Sequence, residues 1–356
     1  MTETSQAQEA LTTINNYVPL GLSGLKVSPL CLGTMTFGQQ DKADDDILMS
    51  KQIFDKYYEL GGNFFDTSNF GNGESERILG QYIAEKRSKV IVSTKYTTHP
   101  KVQDSKDPNL GSPNRKSLIE NLSASLKRLG VGYIDILYTH IDYNNSVENM
   151  LSGLDDVVRS GKANVISRLR GWSQFVALST QYSMTDRSFE FDLQPMCLKH
   201  NIGVVPYNII SSGSFIYIVI LFSKFLASDI DFPTKKTVTE YAKEEKNWRI
   251  LEEVVQVANE AGRTPSEVAI NWTLQQPGIT SVIAAARNLE FLEEIIGALE
   301  FKLTPKQLSD LNNISLPNTI PFIQPSKPNP LYSASKPSPE YIMSLKKLKT
   351  SKTDTE

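Results

Sequence analysis

Cysteine is scarce in this chain of 356 residues, with Cys31 and Cys197 as its two examples. Two thiols cannot build the disulfide framework that stabilises small secreted domains, which excludes that class of protein. A chain with so few cysteines is typical of a reducing compartment. We therefore predict a cytoplasmic location.

Long hydrophobic runs are also missing. The longest uncharged apolar run covers residues 215–222, whereas a helix that crosses a bilayer needs about 20 apolar residues. Residues 1–16 are polar and lack the apolar centre of a secretion signal. These features predict a protein without a membrane partner.

A basic excess is the third absence. The chain has 37 Lys and Arg against 40 Asp and Glu, which gives a formal net charge of −3. This balance offers no positive surface for nucleic acid, so we predict no nucleic-acid partner. Hydrophobic residues at 40% and charged residues at 22% are instead typical of a globular domain with a sizeable core.

Short β-rich runs alternate with amphipathic helical patterns along the chain. Eight strands are predicted at residues 28–33, 63–66, 90–95, 134–138, 163–167, 175–179, 203–207 and 280–284. Helices are predicted at residues 44–60 and 247–260, from Ser112-Pro113 to Gly130, and after a capping box that begins at Thr264. No G-x-G-x-x-G follows an early strand, so an α/β fold of the (β/α)8 TIM-barrel type is favoured over a Rossmann domain.

One connection in this pattern is short. Only residues 168–174 separate the fifth predicted strand from the sixth, and a parallel crossover normally needs a dozen or more residues. The sequence therefore predicts a barrel without a helix between its fifth and sixth strands, unless one strand is misplaced. The predicted domains are a polar extension at residues 1–17, a barrel at 18–316 and a C-terminal tail at 317–356.

Three polar residues stand at or just beyond the ends of predicted strands, namely Asp66, Lys95 and His140. Barrel enzymes carry their catalytic groups at the carboxyl ends of the strands. A Lys beside a carboxylate can orient a neighbouring hydroxyl and lower its pKa, and a His can hydrogen-bond a carbonyl oxygen. Each residue alone is as well explained by a structural ion pair or a core histidine, but the set predicts carbonyl chemistry.

Several motifs resemble the aldo-keto reductase family, in its fungal aryl-alcohol-dehydrogenase-like branch, over residues 18–316. They are GLSGLKVS (21–28), LGTM (32–35), GNFFDT (62–67), GESE (73–76), RL (128–129) with DILYTH (135–140), and SVI (281–283) with Arg287. The resemblance implies a (β/α)8 barrel without a metal that uses NADPH to reduce aldehydes or ketones to alcohols. It implies that Asp66, Lys95 and His140 are catalytic.

The same resemblance implies a cofactor site for NADP. Ser167 matches a serine that binds the nicotinamide carboxamide, Tyr207 an aromatic residue that stacks on the nicotinamide, and Arg287 a basic residue that meets the adenosine phosphate. The implied partner is a small carbonyl or alcohol substrate.

The sequence departs from the family at the proton donor. A tyrosine should stand just before Gly71, so either Phe70 replaces it or the tyrosine is deleted and the loop is one residue short. Tyr96 and Tyr143 lie near Lys95 and His140 in the sequence and are the candidates for its replacement. A family glutamine is replaced by Ser179 and a glycine by Ala285, and the usual Gln and Asn of the last cofactor helix read as Phe291 and Ile295.

These departures leave three interpretations open. The first is a working NADP-dependent reductase with an altered proton donor. The second is a non-catalytic barrel that senses cofactor or binds a protein partner, a pseudoenzyme. The third is a product without an evolved role, under relaxed constraint or from an imperfect gene prediction.

Overall fold

A computed structural model describes residues 9–38, 43–97, 114–139, 147–165, 175–210 and 243–317 of the chain. A two-stranded antiparallel hairpin comes first, formed by β1 (Val18–Pro19) and β2 (Lys26–Val27). Eight further strands follow: β3 (Leu30–Gly33), β4 (Phe64–Asp66), β5 (Ile91–Lys95), β6 (Ile134–Tyr138), β7 (Ala163–Val165), β8 (Ala177–Leu178), β9 (Gly203–Val204) and β10 (Val282–Ala284). Each lies within or at one of the eight predicted strands, which confirms that part of the sequence analysis.

The strands are parallel and follow the order of a (β/α)8 barrel. Six form one sheet in the order β10-β3-β4-β5-β6-β7, and β8 pairs with β9. The segment after β9 joins this pair to β10, because Thr280 N donates to Val204 O at 2.8 Å and Ile283 N donates to Pro206 O at 2.8 Å. Within the described residues, β7 and β8 are not paired with each other, so the barrel is not closed. The short connection at residues 166–174 lies outside those residues.

Nine α-helices lie in the part of the chain that the structure describes. They are α1 (Ala43–Glu59), α2 (Phe70–Ile83), α3 (Arg115–Leu129), α4 (Val147–Arg159), α5 (Leu193–His200), α6 (Glu245–Ala261), α7 (Pro265–Leu274), α8 (Leu289–Gly297) and α9 (Pro305–Ile314). None combines the length and the apolar character needed to cross a membrane.

The helix boundaries follow local capping chemistry. Thr264 forms the predicted capping box with Glu267 at the start of α7, and Gly130 ends α3 in the left-handed conformation, with φ of 64°. The predicted start of α3 at Ser112-Pro113 is wrong. The helix begins at Arg115, because the Asn114 side chain caps it by accepting a hydrogen bond from Ser117 N.

Apolar side chains fill the inside of the barrel below the strand ends. This inner core packs the hairpin against β3, β4, β6 and the residue after β9. It consists of Leu20, Val27, Cys31, Phe64, Ile136 and Val205. Two larger clusters pack the sheet against the helices, one around α1–α4 and α8 and the other around α5–α7 and α9. The lower interior is thus closed by side chains, and polar groups collect at the carboxyl end.

Strand β8 is less buried than β9, with which it pairs, and less buried than β3 and β4. Ala177 and Leu178 are both partly exposed, and Phe175 just before them is 39% exposed. Every residue of β3 and β4 is by contrast buried. A missing helix before β8 would leave this strand partly exposed. Residues 166–174 lie outside the described residues, so the missing helix stays a prediction.

Candidate active site

Asp66 and Lys95 form an ion pair at the carboxyl ends of β4 and β5. Lys95 Nζ lies 2.5 Å from Asp66 Oδ2, and Ser93 Oγ donates to the other carboxylate oxygen, Oδ1, at 2.6 Å. Asp66 and Ser93 are register partners in the parallel sheet. Since alternate residues of a strand point to the same side, Ser93 and Lys95 both reach the same carboxylate. The prediction that Asp66 and Lys95 lie together at strand ends is confirmed.

The ammonium group of Lys95 is held in place but is not sealed. It also donates to Thr67 O at 3.3 Å, which makes two hydrogen bonds for a group with three N–H donors. The Lys95 side chain is 16% exposed and the Asp66 side chain 10%. One N–H of Lys95 therefore has no hydrogen-bond acceptor among the described residues, and the side chain is not fully enclosed by them.

Tyr138 lies on the next strand, in register with Lys95. Lys95 Nζ is 5.6 Å from the centre of the Tyr138 ring, a cation–π contact. The hydroxyl of Tyr138 is buried and has no hydrogen-bond partner among the described residues. Burial, and then the negative charge of Asp66, raise the pKa of Tyr138 well above its ordinary value, so the phenol stays protonated.

Tyr96 cannot replace the family tyrosine where it stands. It follows Lys95 directly and thus points to the opposite side of the sheet, into the cluster between strands and helices. Its hydroxyl accepts a hydrogen bond from Thr139 Oγ1 at 3.0 Å, and the residue is 1% exposed. The other candidate, Tyr143, lies outside the described residues.

The segment that should carry the proton donor is the start of α2. The helix begins at Phe70, and its cap residue Asn69 makes no side-chain capping bond. The preceding Ser68 is fully buried, and its hydroxyl has no hydrogen-bond partner in the part of the chain that the structure describes. The backbone thus places position 70 four residues after Asp66, at the carboxyl edge of the sheet.

Two polar networks that the sequence analysis missed support this edge. Ser75 Oγ donates to Thr34 O at 2.7 Å and lies 2.8 Å from Thr67 Oγ1. Glu76, which is fully buried, accepts hydrogen bonds from Thr94 Oγ1 at 2.8 Å and Arg128 Nε at 2.5 Å. Both Ser75 and Glu76 belong to the GESE motif at residues 73–76, one of the motifs that resemble the family. The networks tie α2 and α3 to the residues that flank Asp66 and Lys95.

A second group of predicted residues follows β9 and β10. Tyr207 is 44% exposed and its backbone bonds to Thr180 O and Tyr182 N. Arg287 is exposed and stands immediately before Asn288, whose side chain caps α8. Ser179, beside Thr180, carries a buried hydroxyl to which no described residue is hydrogen-bonded. His140 and Ser167 lie outside the described residues.

The two apolar substitutions on the last helix have a clear place in the structure. Ile295 is 3% exposed and belongs to the main core, and Phe291 is partly buried against the same core. At least Ile295 therefore points toward the barrel and away from any ligand on the surface. Its replacement of a polar family residue is a packing change as well as a loss of a polar group.

The sequence profile of the Aldo/keto reductase family matches residues 29–316. Norsolorinic acid reductase B of Dothistroma septosporum is 31% identical over 316 residues, covering 81% of this chain and 78% of the relative. Aryl-alcohol dehydrogenase [NADP(+)] of Phanerodontia chrysosporium is 29% identical over 330 residues, 84% of each chain. An uncharacterized oxidoreductase of Bacillus subtilis is 31% identical and covered to 95%. The chain belongs to the aldo/keto reductase family.

Proposed function

We propose that this protein is an NADP-dependent reductase that converts an aldehyde or ketone to an alcohol, or catalyses the reverse oxidation. The observation that carries the proposal is the Asp66–Lys95 ion pair at the carboxyl ends of two adjacent barrel strands. Family membership supports carbonyl reduction in general. The use of NADP is supported by one relative, the aryl-alcohol dehydrogenase [NADP(+)] of Phanerodontia chrysosporium.

The residues after β8, β9 and β10 fit a nicotinamide cofactor. The buried hydroxyl of Ser179 lacks a hydrogen-bond partner within the described ranges and can bind a carboxamide, which both donates and accepts hydrogen bonds. The exposed ring of Tyr207 offers a flat surface for a nicotinamide ring. Arg287 stands at the N-terminus of α8, where a phosphate is favoured by both the side chain and the helix dipole. Ser167 is proposed to contribute by resemblance alone.

The bound dihydronicotinamide would supply the hydride. Lys95, fixed by Asp66 and Thr67, would place positive charge where the carbonyl oxygen gains negative charge, which stabilises the transition state. The Asp66 carboxylate would keep the ammonium group in position. His140, two residues after Tyr138 in the sequence, is proposed by resemblance to hydrogen-bond the carbonyl oxygen as well.

The substrate class is proposed from the relatives and not from the pocket. The names of the relatives describe reduction of norsolorinic acid and oxidation of aryl alcohols. We propose aromatic aldehydes and ketones as the first compounds to test. The two cysteines are free and buried, which agrees with a proposed cytoplasmic location.

The test has two stages. NADPH is first titrated into purified, folded protein and followed by its fluorescence, with NADH as the comparison. Micromolar binding that favours NADPH supports the cofactor site. Consumption of NADPH is then measured with aromatic aldehydes and ketones. Binding without turnover of any of them would favour the non-catalytic, cofactor-sensing barrel, and failure to bind would reject both.

A further inference from the structure

We infer that the ammonium group of Lys95 itself delivers the proton to the substrate oxygen in this chain. The inference rests on the proposed reductase function and concerns the step that the absent tyrosine would perform. Its structural basis is the third N–H of Lys95, which has no partner among the described residues, while Asp66 and Thr67 hold the other two.

The position of Lys95 suits a direct donor. Its side chain retains 16% exposure, so a carbonyl oxygen can approach the nitrogen and solvent can return the proton after each turnover. The carboxylate of Asp66, already bonded to Ser93, keeps the nitrogen from rotating away. Lys95 is thus a donor that is held by two hydrogen bonds and is still partly exposed, and a general acid must be both positioned and reachable.

Other acidic groups near the pair are less suited. Tyr138 carries a buried hydroxyl, and the Cys31 thiol lies deeper in the inner core, fully buried. Burial raises the pKa values of both Tyr138 and Cys31, and the Tyr138 hydroxyl and the Cys31 side chain are buried. Tyr96 faces the helices and binds Thr139. Among the described residues, Lys95 is therefore the proton source that a substrate can reach.

The step balances without a further reactant. The hydride from a bound dihydronicotinamide forms the new C–H bond at the carbonyl carbon, and the carbonyl π electrons move to oxygen. One N–H bond of Lys95 breaks as the O–H bond of the alcohol forms, which leaves a neutral amine beside ionised Asp66. The amine then takes a proton from water. In the oxidation direction the neutral amine removes the hydroxyl proton.

Two substitutions separate proton donation from positive charge. In Lys95→Arg the charge and the bond to Asp66 can persist, but a guanidinium does not release a proton in proteins. We expect both Lys95→Arg and Lys95→Met to lose turnover by about 10²- to 10⁴-fold, with the larger loss in Lys95→Met because it also removes the positive charge. NADPH binding, measured by fluorescence, should stay within about twofold of the native chain, because Lys95 is not placed in the cofactor site.

Chemical rescue gives a readout that a structural role would not move. Lys95→Ala removes the side chain, and methylammonium or ethylammonium in the buffer can occupy the space it leaves. We expect these amines to restore turnover in proportion to their concentration, with a rate that depends on the acidity of the amine. Tetramethylammonium, which carries charge but no N–H, is the matched control and should not restore it.

The outcomes distinguish the inference from the proposed function. An inactive native chain overturns both. An active native chain whose Lys95→Arg variant keeps most of its turnover overturns the inference alone. If His140→Gln abolishes turnover as completely and Lys95→Ala does not respond to amines, the imidazole is the donor and the inference is wrong. In a Phe70→Tyr background, the Lys95→Arg loss should shrink at least tenfold, because a phenol then supplies the proton.

Discussion

Asp66 and Lys95 are joined by an ion pair of 2.5 Å although they lie on different strands. The sheet register explains this, since Asp66 pairs with Ser93, two residues before Lys95 on the same face of β5. One carboxylate therefore accepts hydrogen bonds from two side chains of a single strand. This relationship links the barrel architecture to the proposed chemistry, because the sheet fixes the lysine before any substrate binds.

Replacement of Asp66 by Asn should lower turnover while the protein still binds NADPH. The amide cannot form the charge-assisted bond to Lys95, and such bonds contribute about 1.5–3 kcal/mol, equivalent to about 10- to 100-fold. The measurement is kcat and KM for the best substrate, together with the Kd of NADPH. Asp55→Asn, which breaks an exposed pair with Lys51, is the control and should leave all three values unchanged. Equal activity of the two variants would remove Asp66 from the mechanism.

The Phe70→Tyr variant should turn over faster than the native chain. Position 70 begins α2 at the carboxyl edge of the sheet, four residues after Asp66, and a general acid contributes about 10²- to 10⁴-fold. Steady-state rates of the two proteins with one substrate are the measurement, and Phe291→Tyr is a control that adds a phenol elsewhere. A Phe70→Tyr variant that is folded but no faster would show that position 70 does not reach the substrate.

Loss of Arg128 should destabilise the fold strongly. Glu76 is fully buried and pairs with Arg128 at 2.5 Å, so Arg128→Met leaves an uncompensated carboxylate, at a cost of about 3–5 kcal/mol. Arg77→Met breaks an exposed pair with Glu74 and should cost about 1 kcal/mol or less. Urea unfolding of both variants measures the difference. Similar unfolding midpoints would mean that the Glu76–Arg128 pair is not buried in solution.

Reversion of Ile295 to the family's Asn should harm the protein more than help it. Ile295 is 3% exposed in the main core, and burying an amide there while losing apolar contacts costs about 3 kcal/mol. Thermal unfolding measures this loss, with Ile295→Val as a conservative control expected at about 0.5–1.5 kcal/mol. A stable Ile295→Asn variant that binds NADPH more tightly would show that this side chain faces the cofactor.

Both thiols should resist modification in the native state. Burial raises the pKa of Cys197 to about 11 and that of Cys31 well above its ordinary value. Because the thiolate is the reactive form, at pH 8 only about one Cys197 in 10³ is ionised. An aromatic disulfide reagent should react at least ~100-fold faster after urea unfolding than before. Rapid reaction of two thiols in the folded protein would contradict the buried positions.

The strands and the central ion pair were predictable because both depend on short-range pattern. Asp66 and Lys95 end apolar runs, and parallel strands bring their carboxyl ends together. The same period of two could have shown that Tyr96 faces away from Lys95. Tyr96 is adjacent to Lys95 in the sequence, but that adjacency does not bring its hydroxyl to the site.

Other features depend on contacts that no local pattern carries. Arg128 reaches Glu76 from a different helix, and the GESE motif alone does not name its partner. The position of Ile295 in the core depends on how α8 packs against the sheet. The predicted start of α3 at Ser112-Pro113 differs from the observed start at Arg115. The Asn114 side chain, not a serine before the proline, caps the helix.

The most direct test of the account is the fate of a labelled hydride. The native chain is incubated with an aromatic ketone that it turns over and with NADPH carrying deuterium at both C4 positions. Mass spectrometry then locates the label in the product. The account predicts one deuterium on the alcohol carbon for each NADPH oxidised, without a tyrosine at position 70. NADPH that binds and stays intact, or an alcohol without deuterium, would contradict it.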